Sequence, residues 1–151
     1  MTGRYLEDFA VGQVFNTGRL RVDKQMILAF AKEFDPQPFH LDEEAARQTP
    51  FHGLAASGWH TAALTMRLMV DGEFDPVGGI LGVGFDDLSW PRPVRPGDEL
   101  HAKSEVLEVR PSKSKPDRGL IRVRTTALNQ DNEAVMMFTG NLLVPRRPVA
   151  P

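Results

Sequence analysis

The chain has 151 residues, of which 41% are hydrophobic and 25% charged, a balance that supports a sizeable core and excludes an intrinsically disordered chain. Eighteen Lys and Arg against 20 Asp and Glu leave a formal net charge of −2, so no overall positive field invites nucleic acid. There is no cysteine, which excludes disulfides, zinc ribbons, thiolate nucleophiles and iron–sulfur ligation, and is compatible with a reducing compartment.

The length suits one domain, expected over residues 1–145, with residues 146–151 at the proline-rich end forming a flexible tail. Met1 to Gly12 carries Arg4, Glu7 and Asp8 in place of the apolar core of a secretory signal. With no run of about 18 apolar residues anywhere, a soluble cytoplasmic protein bound to no membrane is expected.

Val14, Phe15, Leu20 and Val22 predict a first strand, interrupted around Asn16 to Gly18. Asp23 can then cap a helix whose stripe is Met26, Phe30 and Phe34, flanked by Ile27 and Ala31. Pro36 stops that helix, and Pro36 and Pro38 push Asp35 and Gln37 into extended backbone, so Asp35 to Phe39 is expected as a stiff non-helical excursion. A short helical turn can restart with Asp42 capping Glu43 to Arg47.

Trp59 to Val70 leaves almost no polar face, and Ser57 and Gly72 supply its start and stop. A helix of that kind is expected to be buried, with a sheet wrapped around it. Beyond Gly78 the pattern turns to strands: Ile80 to Leu88, the bend Pro91 to Asp98, then alternating runs over Leu100 to Val106, Ile121 to Ala127 and Ala134 to Val144. One strand, helices, then about four antiparallel strands make an α+β layout, a curved antiparallel sheet against a very apolar helix.

Chemistry concentrates at Phe34-Asp35-Pro36-Gln37-Pro38-Phe39-His40-Leu41-Asp42. Fully extended, the spacing would hold the Asp35 and His40 side chains more than roughly 10 Å apart, but a proline-bent loop brings them close enough to share one water. Histidine titrates near neutrality, and apolar surroundings, here Phe34 and Phe39, are expected to raise the pKa of the carboxylate, so the pair could supply a base and an acid together. The plainer reading stays open: Asp35 caps a turn and His40 fills a polar slot.

The string FDPQPFHLD at 34–42, followed by AASGWH at 55–60, resembles the signature of the MaoC-like hydratase/dehydratase family of the hotdog fold. The matching positions are Asp35, Pro38, His40, Asp42 and Gly58, and the Pro93-Val94…Gly97-Asp98 bend and closing strands also fit. Glu33-Phe34 stands where that family usually has a Ser/Thr-Gly pair, and Gln37 where it has Asn. Gln keeps the amide, whereas Phe34 bears on the acyl-chain space near the pair.

The resemblance implies reversible addition of water to a trans-2-enoyl thioester of coenzyme A, giving the (R)-3-hydroxyacyl product. Asp35 and His40 would hold the water and divide the roles of base and proton donor. Gly58, at the head of the apolar helix, would leave its N–H and the positive end of the helix dipole for the thioester oxygen, although close backbone packing is an equally good reason for a glycine there. Phe34, Gln37, Phe39, Ser57 and Trp59 become candidates for substrate contact, and Met66, Leu68 and Met69 are better read as core. No metal or redox cofactor is expected, because coenzyme A is part of the substrate. The edge strand of a lone hotdog sheet predicts a homodimer or higher homo-oligomer, with the site near the subunit interface.

Lys113, Lys115 and Arg118, in the basic loop at 112–118, or Arg92 and Arg95 in the proline bend, are candidates for the phosphates of coenzyme A, and a solvated hairpin tip is the ordinary reading of the loop. His52 is expected in a loop and His60 as a satisfied buried side chain. No HExxH spacing points to a metal, and no GxSxG elbow points to a serine hydrolase. Two competing functions remain: an acyl-CoA thioesterase on the same fold, and a non-catalytic acyl-thioester-binding protein.

Overall fold

The structure, a computed structural model, describes residues 3–149; the end of the expected tail, residues 150–151, lies outside them. Strand β1 (Val14–Asn16) and strand β2 (Leu20–Arg21) come first, separated where the sequence breaks its pattern. Helix α1 (Lys24–Phe34) follows, capped by Asp23, whose carboxylate accepts the Met26 N–H. Two short helices come next, α2 (Pro38–Leu41) and α3 (Glu43–Arg47), and Asp42 caps the second by accepting from the Glu44 and Ala45 N–H groups.

Helix α4 (Gly58–Asp71) starts at Ser57 and stops at Gly72. The remaining strands are β3 (Leu81–Ser89), β4 (Glu99–Pro111), β5 (Arg118–Leu128) and β6 (Ala134–Pro145). They form an antiparallel sheet in the order β1-β4-β5-β6-β3, with β2 also on β4. The curved sheet packs α4 against β4 and β6, the hotdog arrangement.

Alternation along β5 buries Gly119, Ile121, Val123, Thr125 and Ala127 on the helix-facing side. One apolar cluster joins Val22, Ile27, Leu54, Leu68, Met69, Val94 and Leu100 beneath α1 and α4. A second, at the other end, packs Phe9, Phe15 and Phe74 with ring centroids 5.3–5.8 Å apart.

Two expectations need correcting. The segment expected as a non-helical excursion enters helix α2 at Pro38, because proline at the first helical position has the right φ and lacks an N–H that would be unpaired there anyway. Helix α4 is not buried all round: Trp59 and Val70 are 60% and 57% exposed, while His60, Thr61 and Thr65 face inward. The two threonines are accommodated because each hydroxyl donates to the carbonyl four residues back. At the start of the segment expected as a tail, Arg146 and Arg147 pair with Glu7 and Asp8.

Candidate active site

Helix α1 runs out at Asp35 because Pro36 cannot extend it, and Gln37 in extended backbone (φ −110°, ψ 150°) leads directly into α2. One turn later His40 returns toward the end of α1. Its Nε2 lies 3.3 Å from Asp35 Oδ2. The residue is 4% exposed, and its ring packs edge-on against Phe39, with centroids 4.6 Å apart.

Both groups are fixed from behind. His40 Nδ1 is 2.6 Å from the Ala55 carbonyl oxygen, and because a carbonyl only accepts, Nδ1 carries the hydrogen and Nε2 is turned to Asp35. Asp35 Oδ2 accepts the Ser57 hydroxyl at 2.7 Å, and its Oδ1 accepts the Gln37 amide. Burial raises the Asp35 pKa, but the bonds from Ser57 and Gln37, with the field of His40, outweigh it and leave the carboxyl below its usual range. The expected upward shift is therefore wrong in sign: the donors around this carboxylate matter more than nearby phenyl rings.

Asp35, His40 and Gly58 line one open cavity of about 590 Å³, together with His52, Trp59, Trp90, Arg92 and Arg95. Trp59 also borders an apolar groove of about 290 Å³ with Ala63, Met66, Phe85 and Leu88. Gly58 begins α4, ahead of the intrahelical ladder, so its N–H is one of the helix's free donors. A Cβ on Gly58 would stand 2.7 Å from the Trp90 ring, and Trp90 Nε1 donates to the Gly58 carbonyl at 3.0 Å. The glycine is thus required by a tryptophan laid across the helix start, a contact that the sequence pattern does not reveal.

Other candidates separate from this site. Phe34 is 66% exposed and packs on Phe30, so it neither lines the cavity nor surrounds Asp35. Phe39 supports the His40 ring from outside the cavity lining, and Gln37 and Ser57 touch Asp35 directly. Lys113, Lys115 and Arg118 sit on the β4–β5 hairpin, away from the cavity lining, with Arg118 paired to Asp117. Arg92 and Arg95 of the proline bend do line it. His52 does too, with φ +56°, rare for a side chain of its size. His60, expected to be satisfied, stacks flat on Phe30 at 4.6 Å with a partnerless Nδ1, and burial lowers its pKa.

Comparison with known proteins shows the family. A crystal structure described as a MaoC-like dehydratase from Rhodospirillum rubrum is 56% identical, covers 97% of this chain and 100% of its own, and superposes with a TM-score of 0.94. The protein YdeM of Bacillus subtilis (strain 168) is 38% identical over 92% of this chain and 96% of its own. An (R)-specific enoyl-CoA hydratase of Rhodospirillum rubrum is 27% identical over 95% of this chain and 93% of its own. A family model described as MaoC like domain matches residues 8–128, which run through the end of β5 and include every residue lining the Asp35–His40 cavity, and on that match the chain belongs to the MaoC-like domain family.

Proposed function

We propose that this protein adds water reversibly to trans-2-enoyl-CoA to give (R)-3-hydroxyacyl-CoA, with Asp35 and His40 sharing the reacting water. The observation that carries the reading is the 3.3 Å approach of Asp35 Oδ2 to His40 Nε2 at a cavity. The similarity to an (R)-specific enoyl-CoA hydratase supports the reaction class and the product hand.

Water is a weak nucleophile, so its attack on C3 needs a proton acceptor, and C2 needs a proton in return. As the water oxygen bonds to C3, one water proton passes to the Asp35/His40 pair. The pair delivers one proton to C2, ending in the state in which it began. Asp35, with its pKa held down, is ionised at neutral pH and suited to accept from water. Negative charge gathering on the thioester oxygen is met by the free N–H at Gly58 and the positive end of α4. No metal or redox cofactor enters this chemistry, and coenzyme A arrives as part of the substrate.

The active form is proposed to be a homodimer. Among the described residues strand β3 pairs only with β6, and Leu81, Val83 and Phe85 along it are more than half exposed, with Phe85 bordering the same groove as Trp59. A second copy laid on this face would bury it and close the apolar groove. Sedimentation showing an active monomer at assay concentration would overturn that part.

The reaction is tested by loss of the enoyl absorbance of crotonyl-CoA, with chiral analysis of the product. Asp35→Asn and His40→Ala should each lower turnover by about 10² to 10⁴-fold, with the fold intact. Release of free thiol without enoyl loss would replace the hydratase reading with a thioesterase; tight acyl-CoA binding unaltered in both variants, without turnover, would replace it with a binding protein.

A further inference from the structure

The segment between α3 and α4 passes along the wall of the cavity as irregular chain, and among the described residues only its Ala55 and Ala56 N–H groups find carbonyls of distant segments, those of Phe39 and Val94. Leu54 and Ala55 are 2% and 0% exposed, and buried carbonyls at such a place need donors. They converge on one side chain 41 to 44 residues away. Arg95 Nη1 donates to the Gly53 and Leu54 carbonyls at 2.9 and 3.2 Å, and Nη2 donates to the Phe51 carbonyl. Among the described residues no carboxylate pairs with this guanidinium.

Arg95 is itself held. Its N–H donates to Asp98 Oδ2 at 2.8 Å, the Asp98 N–H donates to the Arg95 carbonyl at 3.0 Å, and Asp98 Oδ1 accepts the Gln130 amide. Gly53 is part of the fit, because a Cβ there would come within 3.3 Å of Arg95 Nη1. The next residue after these three carbonyls is Ala55, whose own carbonyl takes the His40 Nδ1 hydrogen and whose N–H donates to the Phe39 carbonyl.

From this chain of contacts we infer that Arg95 is a positioning residue for His40: its guanidinium clamps the 51–54 carbonyls and thereby holds the Ala55 carbonyl where it fixes the imidazole tautomer. The inference deepens the hydratase reading and rests on it for its catalytic consequence. The planar fork is needed because three acceptors approach from separate directions, and a lysine ammonium on its flexible stem does not meet all three. Arg95 also lines the cavity, so the competing role is contact with an anionic group of the substrate. The two roles respond differently to substitution. An anion contact survives largely in Arg95→Lys and appears in KM, whereas a clamp fails in Arg95→Lys and appears in kcat and in the state of His40.

The test pairs Arg95→Lys with Arg95→Met and reads two quantities. The first is the state of His40, from imidazole ¹⁵N shifts of the free protein at pH 7.5. In the parent, Nδ1 carries a hydrogen held on the Ala55 carbonyl; in both variants the Nδ1 resonance shifts and its hydrogen exchanges faster. The second is steady-state hydration of crotonyl-CoA, in which kcat falls about tenfold or more in both variants while KM stays within about threefold. An unchanged Nδ1 resonance and hydrogen exchange, or a raised KM with kcat preserved in Arg95→Lys, overturns the inference. If Arg95→Met fails to fold, Arg95→Lys decides alone. If the parent shows no hydration, the hydratase reading fails and the ¹⁵N measurement still decides the clamp.

Discussion

Ser57→Ala removes one fully buried hydroxyl that serves two neighbours at once: it donates to Asp35 Oδ2 at 2.7 Å and accepts the Trp59 N–H at 3.3 Å. Loss of a helix cap costs about 1 kcal/mol. Loss of a hydrogen bond to a charged group costs about 1.5 to 3 kcal/mol. The Asp35 side chain is 17% exposed, so water replaces part of the second contribution, and a net loss of about 2 kcal/mol is expected. For a chain of this size that lowers Tm by about 4 to 8 °C.

The two contributions separate with pH. The folded Asp35 pKa lies below its unfolded value, so its stabilisation is present above the unfolded pKa and is lost as pH falls through the folded one. The cap to Trp59 does not titrate. Thermal melts of parent and Ser57→Ala should therefore differ most at pH 7 and by roughly half as much, or less, once Asp35 is protonated in both. A gap of the same size at both pH values, or no gap, would refute the account of Ser57 as the donor that keeps Asp35 ionised.

Four further outcomes follow from the same geometry. In the parent, the acid limb of kcat/KM should fall below the ordinary carboxylate range, because Asp35 is shifted down, and Ser57→Ala should move it upward; a limb above that range would contradict the ionised base. Gly58→Ala should push the Trp90 ring off the helix start and weaken its bond to the Gly58 carbonyl, seen as a red shift in tryptophan emission with a stability loss of about 1 kcal/mol. Gly119→Ala should cost more, about 1 to 3 kcal/mol in chemical denaturation, because its Cβ would stand 2.7 Å from the Arg110 carbonyl oxygen and against Leu6. Ile27→Ala, in the fully buried cluster under α1, should cost about 2 to 5 kcal/mol while leaving the His40 tautomer unchanged.

Local signals located most of the elements. Asp23, Asp42 and Ser57 are caps with oxygens at the right place in the chain, and the alternation in β5 sets its buried face. The proximity of Asp35 and His40 was legible because two prolines leave the intervening chain few conformations. What failed depended on partners distant in sequence. The apolar stripe of α4 suggested burial all round, but the sheet of one chain covers a single side, so Trp59 faces out and Thr61 and Thr65 face in. The sign of the Asp35 shift is not legible locally because Ser57, which donates to its Oδ2, lies 22 residues away. Arg95 read as a phosphate contact because nothing near it marks the carbonyls it binds in the 51–54 loop. The Trp90 indole over Gly58 is hidden for the same reason.

The shared water is tested most directly by a double-mutant cycle on crotonyl-CoA hydration with Asp35→Asn, His40→Ala and the double variant. Two groups acting on one water as a unit predict strong non-additivity: the double variant is no slower than about threefold below the slower single variant. Losses that multiply across the cycle, or a double variant that still hydrates at a rate near that of the parent, would contradict it.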